Sequence, residues 1–352
     1  MPAIATAAMP KVAGMARSCV PAGTTSQERD FHRNNLTAIR HAGAGTFAGM
    51  LLFGLLLALS GCSLHSRQPI PWPADAPGRV TIAEVPFFAQ EQYQCGPAAL
   101  AMALGWSGAP VTPDDLGPEV YTPARHGTLQ AALIGAARRH GRIAYPFTGM
   151  DGLLTELAAG HPAIVLVNLS FAWYPKWHYA VALGYDQAQN EIILHSGTMR
   201  NERLSLRVFT NIWSRSDFWG PLVLPPGVLP ATAREELWLE AAAGLEQAGQ
   251  PSAAATAFET ALTRWPRSFG AWMGLGNSRY GSGDMAAAAR AYQQAAGIDP
   301  QAGAAFNNLA YALWKMGRRD EALAAARQAV ALDGPLQESF RRTLAEIEGN
   351  EQ

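Results

Sequence analysis

One cysteine stands directly before a glycine and a proline in Gln90-Glu91-Gln92-Tyr93-Gln94-Cys95-Gly96-Pro97, and an apolar run to Trp106 follows it. Proline suits a first helical position, because its missing N–H would have no intrahelical partner there anyway. The spacing predicts a helix over 97–106 with Cys95 at its N-terminus, where the helix dipole favours thiolate over thiol. A thiolate is the nucleophile of acyl transfer, and the N–H groups of a first helical turn can steady the oxyanion that follows. Gln90, five residues upstream, offers a side-chain amide as a second donor. On this stretch alone the competing reading is a buried cysteine that merely opens a core helix.

A nucleophilic thiol needs a base, which must be near in space but can be far along the chain. Beyond residue 62 the histidines are His65, His126, His140, His161, His178 and His195. His140 follows Arg138 and Arg139 and reads as solvated surface, and His161 before Pro162 reads as a structural turn residue. His126 lies beside Gly127 in a loop that could face the site. His178 opens the alternating run Trp177-His178-Tyr179-Ala180-Val181-Ala182-Leu183-Gly184-Tyr185, which predicts a strand able to pack against the cysteine helix.

Composition narrows the function. The chain has 352 residues, 49% hydrophobic and 16% charged, which is globular and long enough for two domains. A formal charge of −1 supplies no basic surface for nucleic acid. The three cysteines, Cys19, Cys62 and Cys95, include no CxxC pair, so neither a thiolate zinc site nor any other cofactor is expected.

The N-terminal 61 residues read as the signal peptide of a lipoprotein, over-long at its start as an upstream start-site error would make it. Phe47 to Leu59 carries no charge and is too short for a confident membrane span. It ends in Leu59-Ser60-Gly61-Cys62, which resembles the lipobox of bacterial lipoproteins. That resemblance implies lipidation of Cys62 and a place in the cell envelope, with Ser63 resembling outer-membrane sorting toward the periplasmic face. Cys95 would then be the one thiol left in the mature chain, a candidate reactive group. Residues 62–80, with Pro69, Pro71, Pro73 and Pro77, read as an extended tether.

From 81 to 228 the pattern is a short strand over 80–88, a helix over 97–106 and a Pro/Asp-rich turn over 109–115. Helices over 128–140 and 153–159 come next, then strands over 162–169, 177–185, 191–194, 204–208 and 219–224. Helices first and an antiparallel sheet afterwards predict an α+β domain. Trp173, Tyr174 and Trp177 crowd the approach to His178, as core or as the wall of a peptide cleft, while Phe209, Trp213, Phe218 and Trp219 read as packing.

Residues 232–350 repeat with a period of 34. Trp238, Trp272 and Phe306 share one phase, Gly249, Gly283 and Gly317 a second, and Ala254, Ala288 and Ala322 a third. The pattern resembles the tetratricopeptide repeat, in units of about 235–268, 269–302 and 303–336. It implies an all-α solenoid that folds on its own and presents a concave surface to a protein or peptide partner.

Residues 81–228 resemble the papain-fold C39 family of cysteine peptidases, and within it a stand-alone lipoprotein branch. The matching blocks are Val85 to Leu100 and Trp177 to Asp186. The resemblance implies a peptidase acting on a peptide or protein, with Cys95 as nucleophile, His178 as general base and Gln90 in the oxyanion hole. The Gln90–Cys95 interval is one residue shorter than papain-like enzymes commonly have. The family's downstream aspartate has no counterpart, since Leu194-His195-Ser196-Gly197 stands there. A weakened peptidase that binds peptides without cutting them, and a repeat-based scaffold, are the rival expectations.

Asp186 cannot orient His178, because eight strand residues set it about 26 Å away. The returning strand brings 196–198 opposite the histidine, and a residue or two of register slack makes His195, Ser196 and Thr198 the candidates. Ser196 is favoured for its compact hydroxyl.

Overall fold

The structure, a computed structural model, describes residues 72–90, 94–332 and 334–349. The signal segment, Cys62 and the first part of the tether lie outside the described residues. The tether as read from the sequence is too long. Trp72 packs on Tyr185 with ring centroids 5.1 Å apart, and the chain then pairs into the sheet as β1 (Arg79–Thr81). The rest of the strand expected over 80–88 is irregular.

Helix α1 (Cys95–Trp106) is buried from Gly96 to Leu104, because its run of alanine, leucine and methionine has no polar face to show solvent. Helix α2 (Pro113–Val120) replaces the turn expected over 109–115. Thr112 caps it, accepting from Asp115 N, while the Asp115 side chain accepts from Thr112 N. That reciprocal box, with Pro113 at the first position, starts a helix that composition alone reads as a turn. The two-residue strands β2 (Tyr121–Thr122) and β3 (Gly127–Thr128) precede α3 (Gln130–Arg139), β4 (Ile143–Phe147) and α4 (Gly149–Ala158).

The sheet continues with β5 (Ala163–Asn168), β6 (Trp177–Asp186), β7 (Glu191–Ser196) and β8 (Met199–Ser205). Helix α5 (Leu206–Trp213) and β9 (Gly220–Leu224) complete it. The strand order is β4-β9-β5-β6-β7-β8, with β1 beside β6 and every pairing antiparallel. The strand expected over 204–208 ends at Ser205, whose hydroxyl accepts from Val208 N and caps α5. Leu206, Phe209 and Trp213 then fall on one buried helical face. Pairing shifts register between Ala182 and Gly184, and a side chain at Gly184 would collide with the Val80 carbonyl. Only glycine lets β1 close against β6 at that bulge.

Helices α6 (Glu235–Gln247) and α7 (Pro251–Arg264), α8 (Phe269–Gly281) and α9 (Met285–Ile298), and α10 (Gly303–Lys315) and α11 (Arg319–Ala331) form three hairpins, and α12 (Gln337–Gly349) packs on α11. Gly249, Gly283 and Gly317, the 34-residue series, all hold positive φ just past a helix C-terminus. The first hairpin is not free-standing. Trp238 is fully buried in the same core as the sheet, 6.4 Å from the Tyr145 ring on β4. Edge strand β4 is therefore covered by α6, while a separate apolar cluster begins only at Met273. The first repeat hairpin therefore buries its face against the sheet as well as against the next repeat.

Candidate active site

Cys95 occupies the first turn of α1, half-buried. Its neighbour Gly96 is required by contact: a Cβ there would drive into the Thr128 side chain of β3. The Thr128 carbonyl in turn accepts from the Tyr179 hydroxyl at 3.1 Å, so β3 ties the start of α1 to β6. The thiol meets the sheet at the backbone of Tyr179, the residue after His178.

The electrostatics run opposite to the expectation of a lowered thiol. Burial pushes the Cys95 thiol up from its ordinary value, against the opposing backbone N–H groups of Tyr179, Gly96 and Cys95 itself. Burial, then the charge of Lys176, pushes His178 down. Desolvation outweighs the helix dipole at this site, and the two shifts favour a neutral thiol and a neutral imidazole over a charged thiolate and imidazolium.

His178 Nε2 lies 3.2 Å from Ser196 Oγ. The hairpin β6–β7 turns after Asp186 and pairs Val181 with His195, so Ser196 lies diagonally two residues short of the level of His178 and still within reach of its ring. Asp186 sits at the far end of the hairpin, between Arg79 and Arg203. Gln90 is buried and held at both ends of its amide. Nε2 donates to the Tyr179 carbonyl at 3.3 Å, and Oε1 accepts from Gly197 N at 3.3 Å. Its own N–H donates to the Gly197 carbonyl at 3.0 Å. An amide so oriented keeps its second N–H hydrogen for another acceptor.

Cys95 and Gln90 thus both meet the backbone of Tyr179, the residue after His178, while Ser196 bonds His178 and precedes the Gly197 that holds Gln90. His195 does not join them. Adjacent strand residues point to opposite faces, and His195 is buried on the other side from Ser196. It accepts from Asn201 N at Nδ1 (3.2 Å) and lies 3.4 Å at Nε2 from the Val85 carbonyl, packed edge-on against Phe87. Its candidacy for the site is withdrawn in favour of a core role. His161 pairs with the buried Glu156 at 2.7 Å, and His140 pairs with Glu119 at 2.9 Å, so it is no merely solvated surface group.

Two partners were illegible in the sequence: the Tyr179 backbone at the thiol, and Gly197, which clamps Gln90. Neither carries a side-chain signal. The hairpin tip between β5 and β6 is also unlike ordinary packing. Phe171, Trp173 and Tyr174 are all largely exposed, Trp173 at 81%, and Phe171 stacks on Trp173 at 5.6 Å. Asn168 fixes this tip from inside, accepting from Ser170 N and Lys176 N. Phe209 and Trp213 are core, as expected, and Phe218 and Trp219 are half-buried against it.

Residues 82–218 match the family described as Peptidase_C39 like family, and 239–303 and 304–335 match the tetratricopeptide repeat. No curated protein matches the chain. Among solved structures, a C39-like peptidase candidate from Bacillus anthracis is 18% identical over 42% of this chain and 97% of its own, with a TM-score of 0.37. The type III secretion chaperone SycD of Yersinia enterocolitica, in complex with a peptide of the translocator YopD, is 20% identical over 33% of this chain and 94% of its own, with a TM-score of 0.32. The Sgt2 repeat domain of Aspergillus fumigatus is 18% identical over 34% and 79%, with a TM-score of 0.32. Residues 82–218 are thus a C39-like peptidase-family domain, followed in the same chain by tetratricopeptide repeats.

Proposed function

We propose that the chain is a cysteine peptidase of the cell envelope, lipidated at Cys62 and probing the periplasm from the outer membrane, whose repeats recruit a protein or peptide partner. The observation that supports the hydrolase reading is that Cys95 and the Gln90 amide both meet the Tyr179 backbone, one residue from His178. With Nε2 engaged by Ser196, Nδ1 is the nitrogen left to take the thiol proton. Sulfur then attacks the amide carbon, and the oxyanion is met by the remaining Gln90 N–H and the first turn of α1. The C–N bond breaks as His178 returns the proton to the departing amine, leaving a thioester. Water, deprotonated by His178, attacks the thioester; the carboxylic acid leaves and sulfur regains its proton.

The orientation by a serine hydroxyl, with no fixed negative charge at His178, favours slow turnover. That same observation supports a second reading, a peptide-binding domain that does not cut. A thiol-directed peptide probe separates them. Labelling of Cys95 that collapses in His178→Ala supports the enzyme, and labelling equal in both variants points to the binding domain.

A further inference from the structure

Strands β4, β9, β5 and β6 end together at one edge of the sheet. Phe147 pairs with Gly220 there, Leu166 N donates to the Trp219 carbonyl, and Asn168 pairs with Trp177, next to His178. A groove of about 470 Å³ opens at this edge. One wall is α3 of the peptidase-family domain, with Gln130, Ile134 and Arg138; the other is α6 of the first repeat, with Leu237 and Ala241. Phe147, Trp219 and Pro221 form its apolar floor.

The groove reaches toward the thiol at one end. Trp219 packs edge-on against Tyr179 with centroids 6.0 Å apart, and the Tyr179 N–H meets Cys95. Gln130 lies two residues after Thr128, whose side chain abuts Gly96. At the other end, the Arg138 guanidinium lies flat on the backbone at Gly244, where any side chain would displace it. Its Nε is buried with no hydrogen-bond partner among the described residues. That nitrogen is sealed against α6 and out of a ligand's reach, so the groove meets the rest of this half-buried side chain. Glu240, exposed at the rim, offsets the arginine's charge, so the acceptor it suits is a neutral carbonyl as readily as a carboxylate.

We infer that the first repeat helix is a wall of the substrate groove, and that the occupant is an extended peptide with apolar side chains whose backbone accepts from Arg138. This rests on the proposed Cys95 site and gives the repeats a share in selecting its substrate. From Gln130 to Arg138 is eight helical residues, about 12 Å, which an extended peptide spans in about four residues. The specificity is length: peptides too short to reach α6 forgo the groove.

The test uses the full chain and two epoxysuccinate probes of Cys95, one unextended and one carrying a four-residue peptide of leucine and alanine. An epoxysuccinate can be extended from either of its carbonyls, and both extensions are made, so the direction of the chain need not be assumed. The expected result is alkylation at least tenfold faster by one extended probe, with that ratio falling toward one in Leu237→Trp and in Gln130→Trp, which fill the two ends. Taking a ratio removes any general loss of thiol reactivity, and an unchanged circular dichroism spectrum is required of both variants so that loss of fold is not read as loss of the groove. Equal rates for all probes on the wild-type chain, or a length preference unchanged in both variants, overturns the inference. Alkylation needs no turnover. A length preference without amide hydrolysis would therefore leave the groove standing and defeat the hydrolase reading instead.

Discussion

His178 Nε2 and Ser196 Oγ, 3.2 Å apart, join the start of one strand to the end of the next. A hydroxyl fixes the imidazole ring but cannot stabilise an imidazolium as a carboxylate does. Ser196→Asp is therefore expected to raise kcat/KM on a peptide substrate by about tenfold or more, given what an aspartate contributes in such sites. Ser196→Ala should lower it. A fall to background in Ser196→Asp, with the circular dichroism spectrum unchanged, would show that Ser196 does not orient the base.

The pH profile follows from the neutral resting pair. Burial and Lys176 hold His178 below its ordinary value, so the imidazole stays unprotonated through neutral pH and loses its basic form only in more acidic solution. The acid limb of kcat/KM is expected below about pH 6.5, the unperturbed histidine value. Lys176→Gln removes one depressing charge and should move that limb upward. An unmoved limb would mean that Lys176 does not act on the base.

Glu156 is fully buried on α4. It accepts from Ala231 N at 3.1 Å and from Thr232 N and Oγ1 at 2.6 Å each, and it pairs with His161. Burial alone would push its carboxyl up; the hydrogen bonds from His161 and Thr232 outweigh that and bring it below its ordinary value. A depressed carboxyl contributes stability above its unfolded pKa and loses it as pH falls through the folded one. Glu156→Ala should cost about 3–5 kcal/mol in denaturant unfolding, the range for breaking a buried pair from one side. It should also flatten the acid dependence of stability.

Cys62 carries the anchoring proposal. Cys62→Ala should leave the precursor uncleaved and remove the protein from the detergent phase on partitioning. Partitioning unaffected by the substitution would refute lipidation at this residue.

Much of the site was legible because its side chains are chemically unusual where they stand. Cys95 before Gly-Pro declared a helix start, the alternation after Trp177 declared a strand, and counting back along the hairpin brought Ser196 within reach of His178. His195 was misjudged because register was known only to within a residue, and one residue on a strand changes the face. Helix α5 escaped because Leu206 to Trp213 is rich in residues that favour strands; only the Ser205 cap and the spacing of Leu206, Phe209 and Trp213 mark it. The thiol's surroundings were illegible in principle. Dipole and dehydration act in opposite directions at a helix start, and only the packing of β3 and β6 around Cys95 decides which prevails.

The pairing of β1 with β6 has a mechanical consequence. Arg79 lies opposite Asp186, and Trp72 rests on Tyr185, so the chain enters the domain at the end of β6 about 26 Å from His178. Any pull on the chain upstream of Trp72 is transmitted to that end of the sheet. Under the proposed anchoring at Cys62, the Cys95 end of the sheet is the end farther from the point of attachment.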